Sequence, residues 1–232
     1  TKDIMTAAEL PAPGSTERTR VRRFPDNARF DRELLHSILD QGLLAYVAVT
    51  DDEGQPYILP TAYARDGDNV IFHGSTGSRL FRRLAAGERT CLTVTHLDGL
   101  VLARSAFESS MNYRSVMVLG TCTALEGEDK AYALKVISDH LLPGRWEDIR
   151  EPSKKEDAAT IVLALPLTEV SIKVSAGDPD DAEEDVDLRA QMLQRMAQQD
   201  VAHRIVRPGP GKDFQVATQV GRAMLVDVDI AG

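Results

Sequence analysis

Cysteine is scarce in this chain, with Cys91 and Cys122 the two examples in 232 residues. A disulfide-stapled scaffold needs more, and a separation of 31 positions in strand-like runs suits two reduced, buried thiols rather than a bridge or a metal site. Long hydrophobic runs are missing too. No stretch approaches the roughly 20 apolar residues that a membrane-spanning helix needs. Residues 1–23 are polar and arginine-bearing, without the apolar centre of a secretory leader, so the expectation is a cytoplasmic location and no membrane partner. Positive charge is in deficit: 27 Lys and Arg stand against 36 Asp and Glu, a net charge of −9. Nucleic acid and anionic membranes would be repelled at long range, so neither is an expected partner, while a local basic cluster can still hold a small anion. His36, His96, His140 and His203 lack the spacing of metal ligands, and a site built from His73 and His96 on separate strands is disfavoured, so no metal is expected.

What is present is a core. Apolar residues make up 43% of the chain, enough for a compact domain with appendages. Residues 1–28 mix Pro, Ser, Arg and acids without periodicity and read as an extended arm. Asp31 can cap a helix whose Leu34, Leu35, Ile38 and Leu39 form one stripe and which ends at Gly42. Residues 43–50 and 56–64 are β-prone and flank the turn Asp51-Asp-Glu-Gly54, a hairpin. Asp66-Gly67 supplies a positive-φ turn into a third strand at 69–73. Leu80, Phe81 and Leu84 then mark a helix from Arg79 to Ala86, closed by Gly87. Strands at 90–96 and 100–107 flank a turn at Leu97-Asp-Gly99, and 113–125 is a long β run with Gly120 as a bend. A helix at 129–142, stopped by Pro143-Gly144, precedes closing strands at 159–165 and 169–174. Six or more antiparallel strands with peripheral helices make the chain mainly β, and closure into a barrel removes unpaired edges. From 178 to 187 the composition turns acidic, 188–199 has a helical pattern, and 207–212 is rich in Pro and Gly. The expected organisation is an arm at 1–28, a barrel domain at 29–177, and an acidic linker with a C-terminal extension at 178–232.

The stretch richest in chemistry is His73-Gly-Ser-Thr-Gly-Ser-Arg79, where a glycine-containing loop opens a helix. Backbone amides, the hydroxyls of Ser75, Thr76 and Ser78, and the Arg79 fork suit a phosphate. The plain alternative is that Ser78 caps the helix while Arg79, Arg82 and Arg83 form a solvated basic face. The segment is neither a Walker loop nor a dinucleotide fingerprint, and it is not a Gly-x-Ser-x-Gly hydrolase elbow.

Several motifs in order carry a resemblance. They are Arg20, Arg22 and Arg23 before the first helix, Pro56-Tyr-Ile-Leu-Pro-Thr61, Val70-Ile-Phe-His-Gly-Ser75 and Ser78-Arg-Leu80. They continue with Leu100-Val-Leu-Ala-Arg-Ser-Ala-Phe107, Met111-Asn-Tyr-Arg-Ser115 and Lys173. Over roughly residues 16–178 the chain resembles the pyridoxamine 5′-phosphate oxidase-like FMN-binding split β-barrels, in particular the branch of Nim-type nitroimidazole-resistance proteins.

The resemblance implies a homodimer with FMN in a cleft at the subunit interface. Gly74, Ser75, Ser78, Arg79 and Leu80 would then form the phosphate end of the site. Pro60, Thr61 and His73 would line the ring system, with Asn112, Tyr113, Ser115 and Lys173 close by. His73 is the expected catalytic residue, a polar group facing the reactive ring. Arg104, Arg114 and Lys173 are the cations that could tune the flavin. Read without the resemblance, His73 is a strand-end histidine, Tyr113 is barrel packing, and the arginines pair with surface acids. The implied activity is reduction of a small organic acceptor, a nitro compound among the candidates. The alternative is a non-catalytic flavin-binding or haem-binding split barrel. The chain departs from the branch after Lys173, where a Trp-x-Gly segment is missing and the sole tryptophan is Trp146.

Overall fold

The computed structural model describes residues 10–179. The acidic linker beyond 179, the helix expected at 188–199 and His203 lie outside the described residues, as do residues 1–9 of the arm. Contacts divide the chain into two compact units. Among the described residues, one contains Leu10–His96 with Arg114–Val174, and the other contains Leu97–Tyr113 with Ser175–Pro179.

Among the described residues the strands are β1 (Ala28–Arg29), β2 (Leu44–Thr50), β3 (Pro56–Asp66), β4 (Asn69–Ser75), β5 (Arg89–Val101), β6 (Ser110–Thr121), β7 (Thr123–Leu125), β8 (Thr160–Pro166) and β9 (Glu169–Ser175). The helices are α1 (Arg32–Gln41), α2 (Arg79–Ala85), α3 (Gly127–Leu141) and α4 (Lys154–Ala158). The nine strands form one antiparallel sheet in the order β1-β9-β6-β5-β2-β3-β4-β8-β7. Its inner face supplies Val47, Tyr63, Phe72, Leu92, Val116, Val118, Leu163, Leu165 and Ile172 to a single apolar cluster. Strands from both halves of the sheet order share that interior, so the sheet is curled on itself, and the fold is the split β-barrel expected from the sequence. No described helix is long and apolar enough to cross a membrane.

Local chemistry explains the elements that frame the barrel. The Asp31 side chain accepts from the Leu34 N–H and starts α1, whose Leu35, Ile38 and Leu39 are fully buried. Each such burial contributes roughly 1.5–3 kcal/mol. Gly42 ends the helix with φ −89°, outside the left-handed region. The reason for glycine is crowding: a Cβ there would lie 2.4 Å from the Tyr63 hydroxyl, which donates to the Leu39 carbonyl at 2.6 Å. Gly67 adopts φ +54°, the turn expected between β3 and β4. On the outer face α3 lays Ala133 and Ile137 against Ala64, Ile71 and Val162. Middle β3 and β4 are therefore buried on both sides and do not alternate.

Three expectations need correction. The turn at Leu97-Asp-Gly99 does not form; β5 runs through it to Val101, and none of these residues has a positive φ. The chain reverses later, where Ser105 and Ser109 do the work of a turn: the Ser105 Oγ accepts from the Glu108 N–H at 3.0 Å and the Ser109 Oγ donates to the Ser105 carbonyl at 2.9 Å. Gly120 lies inside β6, which runs on to Thr121 without interruption. The break falls at buried Cys122, after which β7 pairs with β8. Finally, β4 continues past His73 to Ser75, because Gly74 and Ser75 pair with Ile161 and Thr160 of β8.

Candidate functional site

The site begins where β3 changes partners. Its first half, from Pro56 to Ala62, pairs with β2, and its second half, from Tyr63 to Asp66, pairs with β4. The β3–β4 ladder stops at Tyr63 and Phe72, while β4 goes on to Ser75 beside β8. The two strands therefore diverge, leaving the edge of residues 57–62 unpaired to β4. Pro60, which has no N–H to offer, is tolerated at such an edge.

Gly74 sits at this divergence, where a Cβ would lie 2.2 Å from the Phe81 ring. Glycine lets α2 settle directly on β4, with Leu80, Phe81 and Leu84 in the core. The intervening bend is held by its own backbone: Ser78 N–H donates to the Ser75 carbonyl at 2.9 Å, and Thr76 N–H donates to the Ala159 carbonyl at 2.9 Å. The Ser75 Oγ accepts from the Gly77 N–H at 3.1 Å. Ser78 occupies the N-cap position with no side-chain capping bond, so the plain capping reading does not hold and the hydroxyl is left for another partner.

Arginines on α2 separate into two kinds. Arg83 pairs with Asp52 at 3.0 Å and with Glu88 at 2.8 Å, and both carboxylates favour its charged form. Arg79, one turn earlier, stacks its guanidinium 4.6 Å above the Tyr57 ring. Among the described residues no carboxylate pairs with it. Tyr57 escaped sequence reasoning, although it lies in the Pro56–Thr61 motif; contact between β3 and α2 leaves no local pattern. Its hydroxyl is buried without a hydrogen-bond partner.

The remaining expected residues are placed as follows. Pro60 is exposed opposite Tyr46, whereas the Thr61 side chain turns inward opposite Ala45 and is 9% exposed. Alternation puts them on opposite faces, so Thr61 presents its backbone to anything on the outer side. Leu80 is 1% exposed, and its side chain is core. His73 shares a face with Ile71 and Ser75 and is exposed, yet enough protein surrounds the ring that desolvation lowers its pKa. Neutral imidazole is thus favoured there at neutral pH.

Ser115 and Lys173 lie elsewhere in the sheet, on neighbouring β6 and β9, separated from β3 by β5 and β2. The Ser115 hydroxyl reaches the Lys173 carbonyl at 3.5 Å. The Lys173 ammonium sits 5.6 Å from the Phe24 ring, which Arg23 also covers at 5.0 Å. In the second unit, half-buried Tyr113 follows Asn112, whose amide donates to the Gly177 carbonyl and accepts from the Gly177 N–H, each at 3.1 Å. One cluster therefore gathers at the β3–β4 divergence, and Ser115 with Lys173 forms another. Both cysteines are free thiols, and among the described residues no three His, Cys, Asp or Glu side chains gather as a metal site.

Comparison with known proteins identifies the family to which the chain belongs. Residues 31–174 match the family model described as pyridoxamine 5′-phosphate oxidase. The structure is similar to that of the FAD and heme binding protein from Mycobacterium smegmatis, with 42% identity and a TM-score of 0.67 over 69% of this chain and 79% of that one. It is also similar to the flavocytochrome Anf3 from Azotobacter vinelandii, with 43% identity and a TM-score of 0.69 over 76% and 81% of the two chains. A candidate 5-nitroimidazole antibiotic resistance protein from Bacteroides thetaiotaomicron shares 25% identity and a TM-score of 0.53 over 63% and 86%. The search of curated proteins found no match.

Proposed function

Because the chain belongs to the pyridoxamine 5′-phosphate oxidase family, we propose that it binds a flavin nucleotide at the β3–β4 divergence and serves as an FMN-dependent oxidoreductase for a small organic acceptor, a nitro compound among the candidates. The observation that carries this reading is Arg79, a cation held in place by an aromatic ring and left without a carboxylate among the described residues. A phosphate fits what is there: the Arg79 fork, the uncapped Ser78 hydroxyl and the Ser75 side chain, with Gly74 and Leu80 contributing backbone. The edge of β3 that faces away from β2 between Tyr57 and Ala62 offers donors and acceptors to the pyrimidine edge of a flavin, and Pro60 an apolar wall. A bound flavin supplies the redox chemistry at its N5. Neutral His73 is suited to a hydrogen bond toward that ring system, and it is the residue to which we assign the catalytic role. Two free thiols suit a reducing compartment, in keeping with a cytoplasmic protein.

The site is also proposed to need a second copy of the chain. Leu44, Tyr46 and Ile58 are 47%, 45% and 60% exposed, and register places Tyr46 beside Pro60 and Thr93, with Ala48 between Ile58 and Cys91. A contiguous apolar sheet face of this kind favours a partner surface. A homodimer would bring one chain's Ser115, Lys173, Asn112 or Tyr113 to the other's phosphate loop.

A second reading is favoured by the relatives at 42% and 43% identity, whose descriptions name FAD with heme and a flavocytochrome. On that reading the chain holds FAD rather than FMN, and haem beside it through a histidine, in a carrier rather than an enzyme. Spectra separate the readings: flavin bands that bleach with anaerobic reductant and reoxidise with a nitro acceptor support the enzyme, whereas a Soret band supports the haem protein. Binding itself is tested by titrating flavin nucleotide into Arg79→Ala. Loss of one charge-assisted contact, roughly 1.5–3 kcal/mol, should weaken binding at least tenfold, and unchanged affinity would remove the phosphate site from this loop.

A further inference from the structure

Arg79 and Arg83 are four residues apart and so lie on one face of α2. That face meets the β2–β3 hairpin in two ways. Arg83 reaches back to Asp52 in the hairpin turn, and this ion pair fixes the helix against the turn. Arg79 meets Tyr57, the second residue of β3, through its ring. An aromatic face attracts a guanidinium without neutralising it, so Arg79 is oriented while its full charge and its donors stay available. A carboxylate in place of Tyr57 would have held Arg79 equally well and cancelled the charge.

Tyr57 has a second peculiarity. Its ring packs beside the core cluster, opposite Val49, and its hydroxyl is shielded from solvent with no partner among the described residues. Protein interiors rarely leave a hydroxyl unpaired, because the lost hydration is not recovered. Phenylalanine would pack and stack on Arg79 in the same way without that penalty. The hydroxyl therefore requires an explanation that packing does not supply.

We propose that Tyr57 is a positioning residue for the ligand phosphate: its ring pre-orients the Arg79 guanidinium, and its hydroxyl, shielded in the ligand-free chain, becomes a hydrogen-bond donor to a phosphate oxygen once Arg79 turns from the ring to the ligand. This assignment rests on the flavin-nucleotide reading and adds to it the means by which the site discriminates phosphorylated flavins from riboflavin. The chemistry is shared by the FMN monoester and the FAD diphosphate, so the test uses both.

The experiment compares wild type with Tyr57→Phe and Tyr57→Leu, measuring affinity for FMN, FAD and riboflavin and the melting temperature of the flavin-free protein. Tyr57→Phe should bind the preferred nucleotide at least about tenfold more weakly, as expected for losing a hydrogen bond to a charged acceptor, with riboflavin affinity unchanged and flavin-free melting unchanged or raised. Tyr57→Leu, which also removes the platform under Arg79, should lose a further two- to fivefold or so. Nucleotide affinity that survives in Tyr57→Phe overturns the assignment. So does an equal loss for riboflavin accompanied by a lower melting temperature, which marks a merely structural tyrosine. A wild-type protein that binds none of the three overturns the parent reading instead, and the assignment with it.

Discussion

Phe81 fills the space that a side chain at Gly74 would need, with its ring 2.2 Å from the place of a Cβ. Gly74→Ala must therefore push α2 off β4 or force Phe81 from its rotamer, an overpacking cost of roughly 1–3 kcal/mol. The expected result is a lower melting temperature and weaker flavin binding together, with Phe81→Leu restoring part of both in the double variant. At Cys122 the relevant quantity is charge. Burial pushes this thiol up to about 12, and the Cys91 thiol is also raised by burial. Between the unfolded value near 9 and the folded value the unfolded chain loses its proton first. Stability is thus intact below pH 9 and falls as pH rises toward 12. Thermal unfolding should show an alkaline decline that is smaller in Cys122→Ala, measured relative to that variant's own stability at pH 7; an identical slope in both proteins would remove Cys122 from the explanation. Neither Gly74 nor Tyr57 revealed its job in the sequence, since both jobs are contacts made by α2 from a different part of the chain.

Elements were legible where one signal repeated. The stripe Leu35, Ile38 and Leu39 behind the Asp31 cap specified α1 to within a residue, and the Asp66-Gly67 turn specified the β3–β4 corner. Turn chemistry misled at Leu97-Asp-Gly99, where β5 runs on as strand to Val101, and the serine-rich reversal after Val101 has no glycine to announce it. α4 was missed as well, being five residues long and defined by a cap rather than by periodicity. Ser153 and Glu156 form a reciprocal capping box there, and Arg150 grips Glu156 through two 2.7 Å bonds. These contacts hold the Glu156 carboxyl far below the usual carboxylate range. The helix ends at Ala159, whose carbonyl takes both the N–H and the hydroxyl of Thr76, at 2.9 and 3.3 Å. A remote cap is therefore mechanically linked to the bend that opens α2. Ser153→Ala should cost about 1 kcal/mol and speed amide exchange at Thr76; exchange that stays slow would show that the loop stands without α4.

For the whole molecule, the proposed dimer makes the outer face of β3, β2 and β5 the surface that would govern association. Replacing Ile58, 60% exposed, by Asp should leave the fold intact and shift sedimentation from dimer to monomer with loss of flavin. A wild-type protein that sediments as a monomer with flavin bound would contradict the proposed interface. The barrel itself was readable from strand spacing and the order of motifs. The divergence of β3 from β4 was not, because it is a change of pairing partner with no residue of its own. On the proposed function, the phosphate end of a flavin nucleotide lodges at that divergence. The most direct test is to denature the purified protein and identify the small molecule released. The expected result is a yellow protein that releases FMN or FAD near one per chain and melts higher when the nucleotide is added back. A colourless protein that releases no flavin and whose melting ignores both nucleotides would contradict it.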